Sequence, residues 1–480
     1  MAQIPILQGI FTDAGADFRT SLPMNLMAVP KTTGISAGYL RTSEGMIEFA
    51  DSIYSGASDR GGINWNGVCY RVIGEWLTRV NADGSIDYLG QVDDDARRVV
   101  IVNSFDRLAI ASAGKLYYWP INGGTSFVTD VDLGYVLDVV WIAGYFMTTD
   151  GANLIVTDLN DPFSVNPLKY GSSEVLPDPI NSLLVIRNEV YAVNRYSVEV
   201  FQNVGGSLFP FRRIDGAMIP KGSIARDASC YFLDSFAFIG GGQNEGLSVW
   251  LGTMGGADKL ATAEVERILQ DYTEAQLQSV FMESRMDRMH ALLYIHLPDK
   301  TLVYDHAASL DIGTPIWTVQ TSGANGDQAY RARGFVRAYD KWLFGDNQSL
   351  RIGYLSTGDA RQFGETVPWQ FDTLFAYNEG RGAIVHSLEL VRLPGRETLS
   401  NQSPPATVET GIAVSWSDDG ITYSQPRFGG KAKPGERAAR ATWRQLGRMS
   451  HYRSFRFRGM NNPYPDAFAR LEAEFEPLGA

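Results

Sequence analysis

This chain is poor in the residues that most enzymatic chemistry needs. Its 480 residues include two cysteines, Cys69 and Cys230, so no disulfide framework of the kind that staples secreted folds is present. Both cysteines stand in strand-like apolar runs and read as buried free thiols of a chain made in a reducing cytoplasm. The five histidines (His290, His296, His306, His386 and His451) form no H-E-x-x-H pair and no Cys/His zinc spacing. His296 falls mid-strand in LLYIHLP and reads as a sheet residue. There is no G-x-S-x-G elbow and no Walker A loop. GGGQNEG at 240–246 is glycine-rich but has no helix after it, so it reads as a hairpin turn. Asp93, Asp94 and Asp95 lack the spacing of a calcium loop and read as a solvated turn. No catalytic residue, metal ligand or cofactor site is assigned, and the chain reads as a non-enzyme. No run is long and apolar enough to span a bilayer, so direct membrane insertion is not expected. The opening MAQIPILQGIFTDAGADF has no basic region followed by a long apolar run, and so is not a secretory signal.

Helical periodicity is scarce too. What recurs is an apolar run, a turn, and a second apolar run. YRVIGEWLTRV turns near Gly74, LAIASAGKLYYW at Gly114, YFMTTDGANLIVT at Gly151 and VYAVNRYSVEVF at Asn194. FAFIGGGQNEGLSVWL turns around Gly242, LLYIHLPDKTLVYD at Pro298 and Asp299, and WLFGDNQSLRIGYL at Asp346 and Asn347. Each is the pattern of a β-hairpin. The turns recur every roughly 40 to 55 residues, about the length of a four-stranded propeller blade. The expected fold is all-β: a β-propeller of six or seven blades over 61–364, the rival being a large β-sandwich assembly. A helical insertion interrupts it near 257–282, where Thr262 can cap one helix. Thr273 with Gln276 has capping-box spacing before a second. Val265, Ile268, Leu269 and Tyr272 fall on one stripe, the pattern of a helix packed on the ring.

Strands with alternating polarity return beyond a boundary in 355–372, so 365–480 reads as a C-terminal β-sandwich-like domain. A Pro-, Ser- and Asn-rich loop is expected at 396–409. Residues 1–60, with Pro5, Pro23, Pro30 and many glycines, read as an extended N-terminal arm lying on its own body or on a neighbour.

Net charge is −12 but uneven. The segment 431–459 carries nine basic residues and one acid, Glu436; its +8 leaves −20 for the rest. A body so acidic repels phosphates over most of its surface, which argues against a general DNA binder. In SFRFRG, Phe455 and Phe457 face one way, and Ser454, Arg456 and Arg458 the other. Arg440, Arg444, Arg448, Arg453, Arg456 and Arg458 are therefore candidates for docking acidic partners, with a solvated polar face or a DNA contact as alternatives.

WSDDGITY at 416–423 resembles the Asp-box hairpin of sialidase-type propellers through Asp418, Gly420, Thr422 and Tyr423, with Trp416 where that motif usually has serine. In those proteins the box is a structural turn. Together with the aromatic content, it motivates an alternative function: a carbohydrate-binding or carbohydrate-degrading propeller in host receptor recognition. A scaffold propeller that binds host proteins is a third reading.

Three stretches carry a more specific resemblance. SLPMNLMAVPKTTGISAGYLRTSEGM includes Leu22, Pro23, Asn25, Tyr39 and Arg41. The second stretch is ATAEVERILQDYTEAQLQSVFMESRMDRMHALLYIHLPDKTLVYD, and the third WRQLGRMSHYRSFRFRG. In this order they resemble the packaged-DNA stabilisation proteins of short-tailed bacteriophages (podoviruses), also called tail nozzle, tail hub or tail accessory proteins. The resemblance implies a structural virion protein. It implies a homo-hexameric ring below the portal and tail adaptor that extends the DNA channel and helps retain packaged DNA. It also implies contacts with a tail needle or plug and with a tailspike or fibre, transient passage of double-stranded DNA through the lumen, and assembly in the host cytoplasm. Leu22, Pro23, Asn25, Tyr39 and Arg41 become candidate N-terminal contacts.

Overall fold

The computed structural model describes residues 2–4, 6, 22–31, 36–51, 58–159, 161–378, 381–394, 410–433, 436 and 438–478. The loop expected at 396–409 lies outside them.

Seven antiparallel sheets follow one another along the chain. They span 59–91, 100–127, 138–172, 180–213, 222–259, 281–329 and 332–356, here blades one to seven. The seven hairpins legible in the sequence are the central strand pairs of these blades. Their strands are buried on both faces, as in Leu108–Ser112, because each twisted sheet packs between two others. Two-residue turns with both φ positive, such as Asn66–Gly67, join several strands; this geometry matches the twist of the hairpin. Each innermost strand touches the next, and Ala332–Ala338 closes the ring on Asp59–Trp65. The outermost strand of blade seven comes from far away. Gly45–Asp51 pairs with Arg351–Ser356, so the ring is locked by joining early and late chain.

Buried arginines tie neighbouring blades together. Arg71 pairs with Asp59 at 2.5 and 2.7 Å and donates to the Gly334 carbonyl oxygen of blade seven at 3.0 Å. Arg60 organises the acidic turn between blades one and two. It donates to Asp95 Oδ1 at 2.6 Å, to the carbonyls of Gly74, Asp93 and Arg97, and to Ser112 Oγ. The Asp93–Asp95 run is thus more than a solvated turn: its path is set by a buried cation.

Helix α1 (Ala263–Gln270) starts at Thr262, whose Oγ1 accepts from the Val265 N–H. Helix α2 (Glu274–Leu277) carries the reciprocal Thr273–Gln276 capping box. Val265 and Leu269 are buried and Ile268 and Tyr272 half-buried, all packed on blades five and six. Helix α3 (His306–Ile312), within blade six, sends Ala308 and Ile312 into the second unit.

That unit is a β-sandwich. One sheet orders Leu26–Pro30, Gly38–Thr42, Ala467–Pro477, Ala383–Leu393 and Ala441–Arg444. The other orders Pro368–Asp372, Tyr452–Met460, Thr410–Ser417 and Arg427–Ala432. Trp369, Phe371, Phe455, Phe457 and Phe468 fill the space between them. Each such fully buried side chain contributes about 1.5–3 kcal/mol.

The segment expected as an extended arm over 1–60 takes another form in its described residues. Ala2–Ile4, Leu26–Pro30 and Gly38–Thr42 are sandwich strands, and Gly45–Asp51 belongs to blade seven. The reason is backbone pairing: an extended segment leaves N–H and C=O groups open, and here the C-terminal strand Ala467–Pro477 satisfies them.

Candidate docking surfaces and the interdomain junction

Residues 22–25 join the two units. Leu22 is buried in the cluster around Trp317, and the Pro23 carbonyl oxygen accepts from the Val319 N–H at 2.8 Å. The Met24 N–H donates to the Gln370 carbonyl oxygen at 2.8 Å. Asn25 touches both sides: its Nδ2 donates to Thr321 Oγ1 at 3.1 Å and to the Pro368 carbonyl oxygen at 2.7 Å. Its backbone is left-handed, φ 52°, a conformation asparagine tolerates better than most residues. Glu44 pairs with buried Arg285, and Gln320 Nε2 donates to Ser43 Oγ at 2.8 Å. Burial raises and Arg285 lowers the Glu44 pKa, the net result being below the ordinary value. Tyr39 and Arg41 sit on the sandwich sheet, both half-buried, and Arg41 Nη2 reaches Met27 Sδ at 3.9 Å. Of the five candidate N-terminal contacts, Leu22, Pro23 and Asn25 are therefore used inside this chain.

The six candidate arginines divide. Arg453 is buried; it pairs with Asp418 at 2.6 and 2.9 Å and donates to the carbonyls of Leu446 and Arg448. Arg456 stands opposite Asp372 in register and pairs with it at 2.7 and 2.9 Å, its guanidinium 3.7 Å from the centroid of Tyr423. Arg440, just before the strand Ala441–Arg444, forks onto Glu389 of the neighbouring strand Ala383–Leu393 at the surface. These three act within the sandwich. Arg444, Arg448 and Arg458 are exposed and form no ion pair among the described residues. Arg458 shares an open groove of about 490 Å³ with Phe428 and Met460, both exposed. The β reading of this stretch holds: Gln445 and Gly447 have positive φ and turn the chain between Ala441–Arg444 and Arg448–Met449.

The Asp-box-like turn is closed by Asp419, not by the Asp418 expected to fill that role. Asp419 Oδ1 accepts from the N–H groups of Ile421 at 2.8 Å and Thr422 at 2.7 Å. These bonds, with the Thr422 hydroxyl foremost, hold its carboxyl far below the usual range. Asp418 is one position off because its side chain leaves the turn for Arg453.

His296 donates or accepts at both ring nitrogens, to Thr301 Oγ1 at 3.0 Å and Glu283 Oε1 at 2.8 Å, inside the sheet. Burial lowers its pKa. Cys69 and Cys230 are free; burial pushes the Cys69 thiol up to about 11. Among the described residues, no group of three or more His, Cys, Asp or Glu side chains could hold a metal ion.

A family model described as "Bacteriophage P22 Gp10, beta-propeller" matches residues 2–360. A second, "Bacteriophage P22 Gp10, beta-sandwich", matches 368–476.

The chain belongs to the bacteriophage P22 Gp10 family.

The resemblance read from its three stretches and the propeller-plus-sandwich fold are both borne out. The tail hub protein gp10 of Salmonella phage P22 is 26% identical over 480 residues, covering 95% of this chain and 96% of that protein. Among solved structures, the WD40 domain of Neurospora crassa Pan2 covers 66% of this chain and 95% of its own at 10% identity and TM-score 0.42. The N-terminal domain of Nup159 covers 70% and 99% at 10% identity and TM-score 0.41. In this Gp10-family chain, the sequence marked the arginines but not their partners. Asp372 and Glu389 carry no motif of their own, and Asp372 lies 84 positions from Arg456. An alternating strand at 368–372 facing 452–460 was the one available signal.

Proposed function

We propose that this chain is a structural tail hub protein of a short-tailed phage, acting as a ring component rather than a catalyst. The observation that carries this reading is the family match across both the propeller and the sandwich, with a P22 tail hub protein alignable nearly end to end. Its physical basis is rigidity. The propeller is closed by its own N-terminal strand, and the sandwich is bonded to blade six through residues 22–25 and through α3.

In this reading six copies form a ring below the portal and adaptor. The ring extends the DNA channel, helps retain packaged DNA and docks a needle or plug and a tailspike or fibre. Six-fold symmetry repeats each lumen charge about six times. A lumen drawn from the acidic body repels phosphates and lets DNA slide. Arg444, Arg448 and Arg458 are free to meet carboxylates of a neighbouring subunit or the adaptor, in an interface of the obligate size class.

Electron microscopy of the purified chain mixed with portal–adaptor complexes tests this directly. A six-fold ring seated on the adaptor is expected. A chain that stays monomeric beside saturating complexes, or a mainly basic lumen, overturns the reading or its charge argument respectively.

A further inference from the structure

The outer face of one sandwich sheet is covered at one end and open at the other. At the covered end, Arg456 stands between Asp372 and Ser415 of the neighbouring strands. It pairs with Asp372, and the Tyr423 ring lies over its guanidinium while the Tyr423 hydroxyl donates to Asp372 Oδ2 at 3.1 Å. A carboxylate and an aromatic ring of the same chain thus enclose this arginine. Arg458 is two residues further along the strand and faces the same way. Its row across four strands reads Gln370, Arg458, Ala413 and Phe428. Among the described residues no carboxylate pairs with Arg458 and no ring covers it. It borders the open groove of about 490 Å³ that Ala413 lines together with Phe428, 79% exposed, and Met460, 39% exposed.

The covered arginine defines what suits the open one: a carboxylate with an aromatic ring beside it. The propeller presents that pair. Phe105, at the turn between Val100–Asn103 and Leu108–Ser112 of blade two, is 89% exposed. No other large apolar side chain among the described residues is more exposed. Its ring meets Trp141 of blade three edge-on at 5.2 Å, which orients it outside the core. Asp106 follows it. Ser104 and Arg107 fix the Asp106 carboxylate, yet its side chain stays 63% exposed. A carboxylate offers about four lone-pair sites, so a second guanidinium can share it. Blade two stands across the ring from blade six, to which the sandwich is bonded, so turn and groove lie on opposite sides of one chain. Overall charge is complementary too: the segment 431–459 carries +8 and the rest of the chain −20.

We propose that the Arg458 groove receives the Phe105–Asp106 turn of a second copy of this chain. Phe105 enters beside Phe428 and Met460, and Asp106 takes the place next to Arg458 that Asp372 takes next to Arg456. Turn and groove are different surfaces, so each copy offers both, and the contact repeats head to tail until a ring closes. Aromatic and arginine anchors of this kind dominate interface energies. The inference rests on the ring of copies proposed above and names a contact that builds it.

Photo-crosslinking in the assembled ring provides the test. The full chain carries benzoylphenylalanine at position 428 and is assembled on portal–adaptor complexes. A copy-to-copy crosslink to the peptide containing Phe105 is expected. Crosslinks only to the adaptor or to another surface of the copy, or none from fully formed rings, overturn the contact. Phe105→Ser and Arg458→Glu should each raise the chain concentration for half-maximal ring formation roughly tenfold or more, with Tm unchanged. Asp106→Arg combined with Arg458→Glu should recover part of that loss. Met254→Ser, at an exposed position on blade five, should change nothing. Rings that form undiminished from Phe105→Ser and Arg458→Glu overturn this contact alone. A wild-type chain that forms no ring overturns the reading of a ring component, and the contact with it.

Discussion

Asn25 and Thr321 exchange two hydrogen bonds: Asn25 Nδ2 donates to Thr321 Oγ1 at 3.1 Å, and Asn25 Oδ1 accepts from the Thr321 N–H at 2.9 Å. They lie 296 positions apart, and the same amide also holds Pro368 of the sandwich. One side chain thus bonds to both units. Asn25→Ala should destabilise the chain by about 2–3 kcal/mol, from buried groups left unpaired and a left-handed backbone without asparagine. Asn25→Gly should restore only the backbone share. Denaturant unfolding measures both; a loss under about 0.5 kcal/mol, the scale of an ordinary surface change, would mean the junction is held elsewhere.

Arg60 should be equally sensitive for a different reason. Its side chain is 1% exposed and serves Asp95, Ser112 and three carbonyls. Arg60→Met keeps the volume but leaves those acceptors unpaired. A loss of about 3–5 kcal/mol is expected. Hydrogen exchange should speed up first between residues 93 and 98, and a uniform rise across the ring would argue against a local clamp.

Asp138 predicts the sign of a pH dependence. Its folded pKa, about 7, lies above the ordinary 3.8 because burial disfavours the charged form. The folded state therefore holds the proton more tightly. The associated stability is complete below the ordinary value and is lost as pH rises through about 7. About 1.4 kcal/mol per unit makes the whole effect a few kcal/mol. Asp138→Asn should flatten the decline in Tm between about pH 4 and pH 7, the window from the ordinary to the raised value. An unchanged profile would place the titration elsewhere.

The arginines of the C-terminal domain should separate by function. Arg456→Glu sets two carboxylates face to face on paired strands, since Asp372 is fully buried, so the sandwich itself should lose about 3–5 kcal/mol. Arg458→Glu and Arg444→Glu should leave stability within about 0.5 kcal/mol, and impair ring or adaptor assembly. Circular dichroism melts and gel filtration with adaptor rings distinguish the two groups. Normal assembly by a folded Arg444→Glu/Arg458→Glu chain would remove these residues from the interface. If its DNA retention then failed, they would be DNA contacts.

Much of the propeller was legible because a blade's central hairpin is a local object. Gly74, Gly114 and Gly151 each separate two apolar runs that pair with each other, so turn and strands sit within about a dozen residues. The helix caps at Thr262 and Thr273 were local in the same way. The roles of the C-terminal arginines were harder to read. Arg453, Arg456 and Arg458 look alike along the strand, yet the first two have acids brought to them and, among the described residues, the third does not.

The sequence by itself determined the blades, the capped helices and the alternation that buries Phe455 and Phe457, because each depends on periodicity and turn chemistry within one short segment. Tertiary structure alone decided that Gly45–Asp51 completes blade seven and that Leu40 pairs with Phe468. It also decided which arginines are spent inside the chain. The physical reason is that open backbone groups and buried charges must find partners, and the partners that satisfy them lie up to hundreds of residues away.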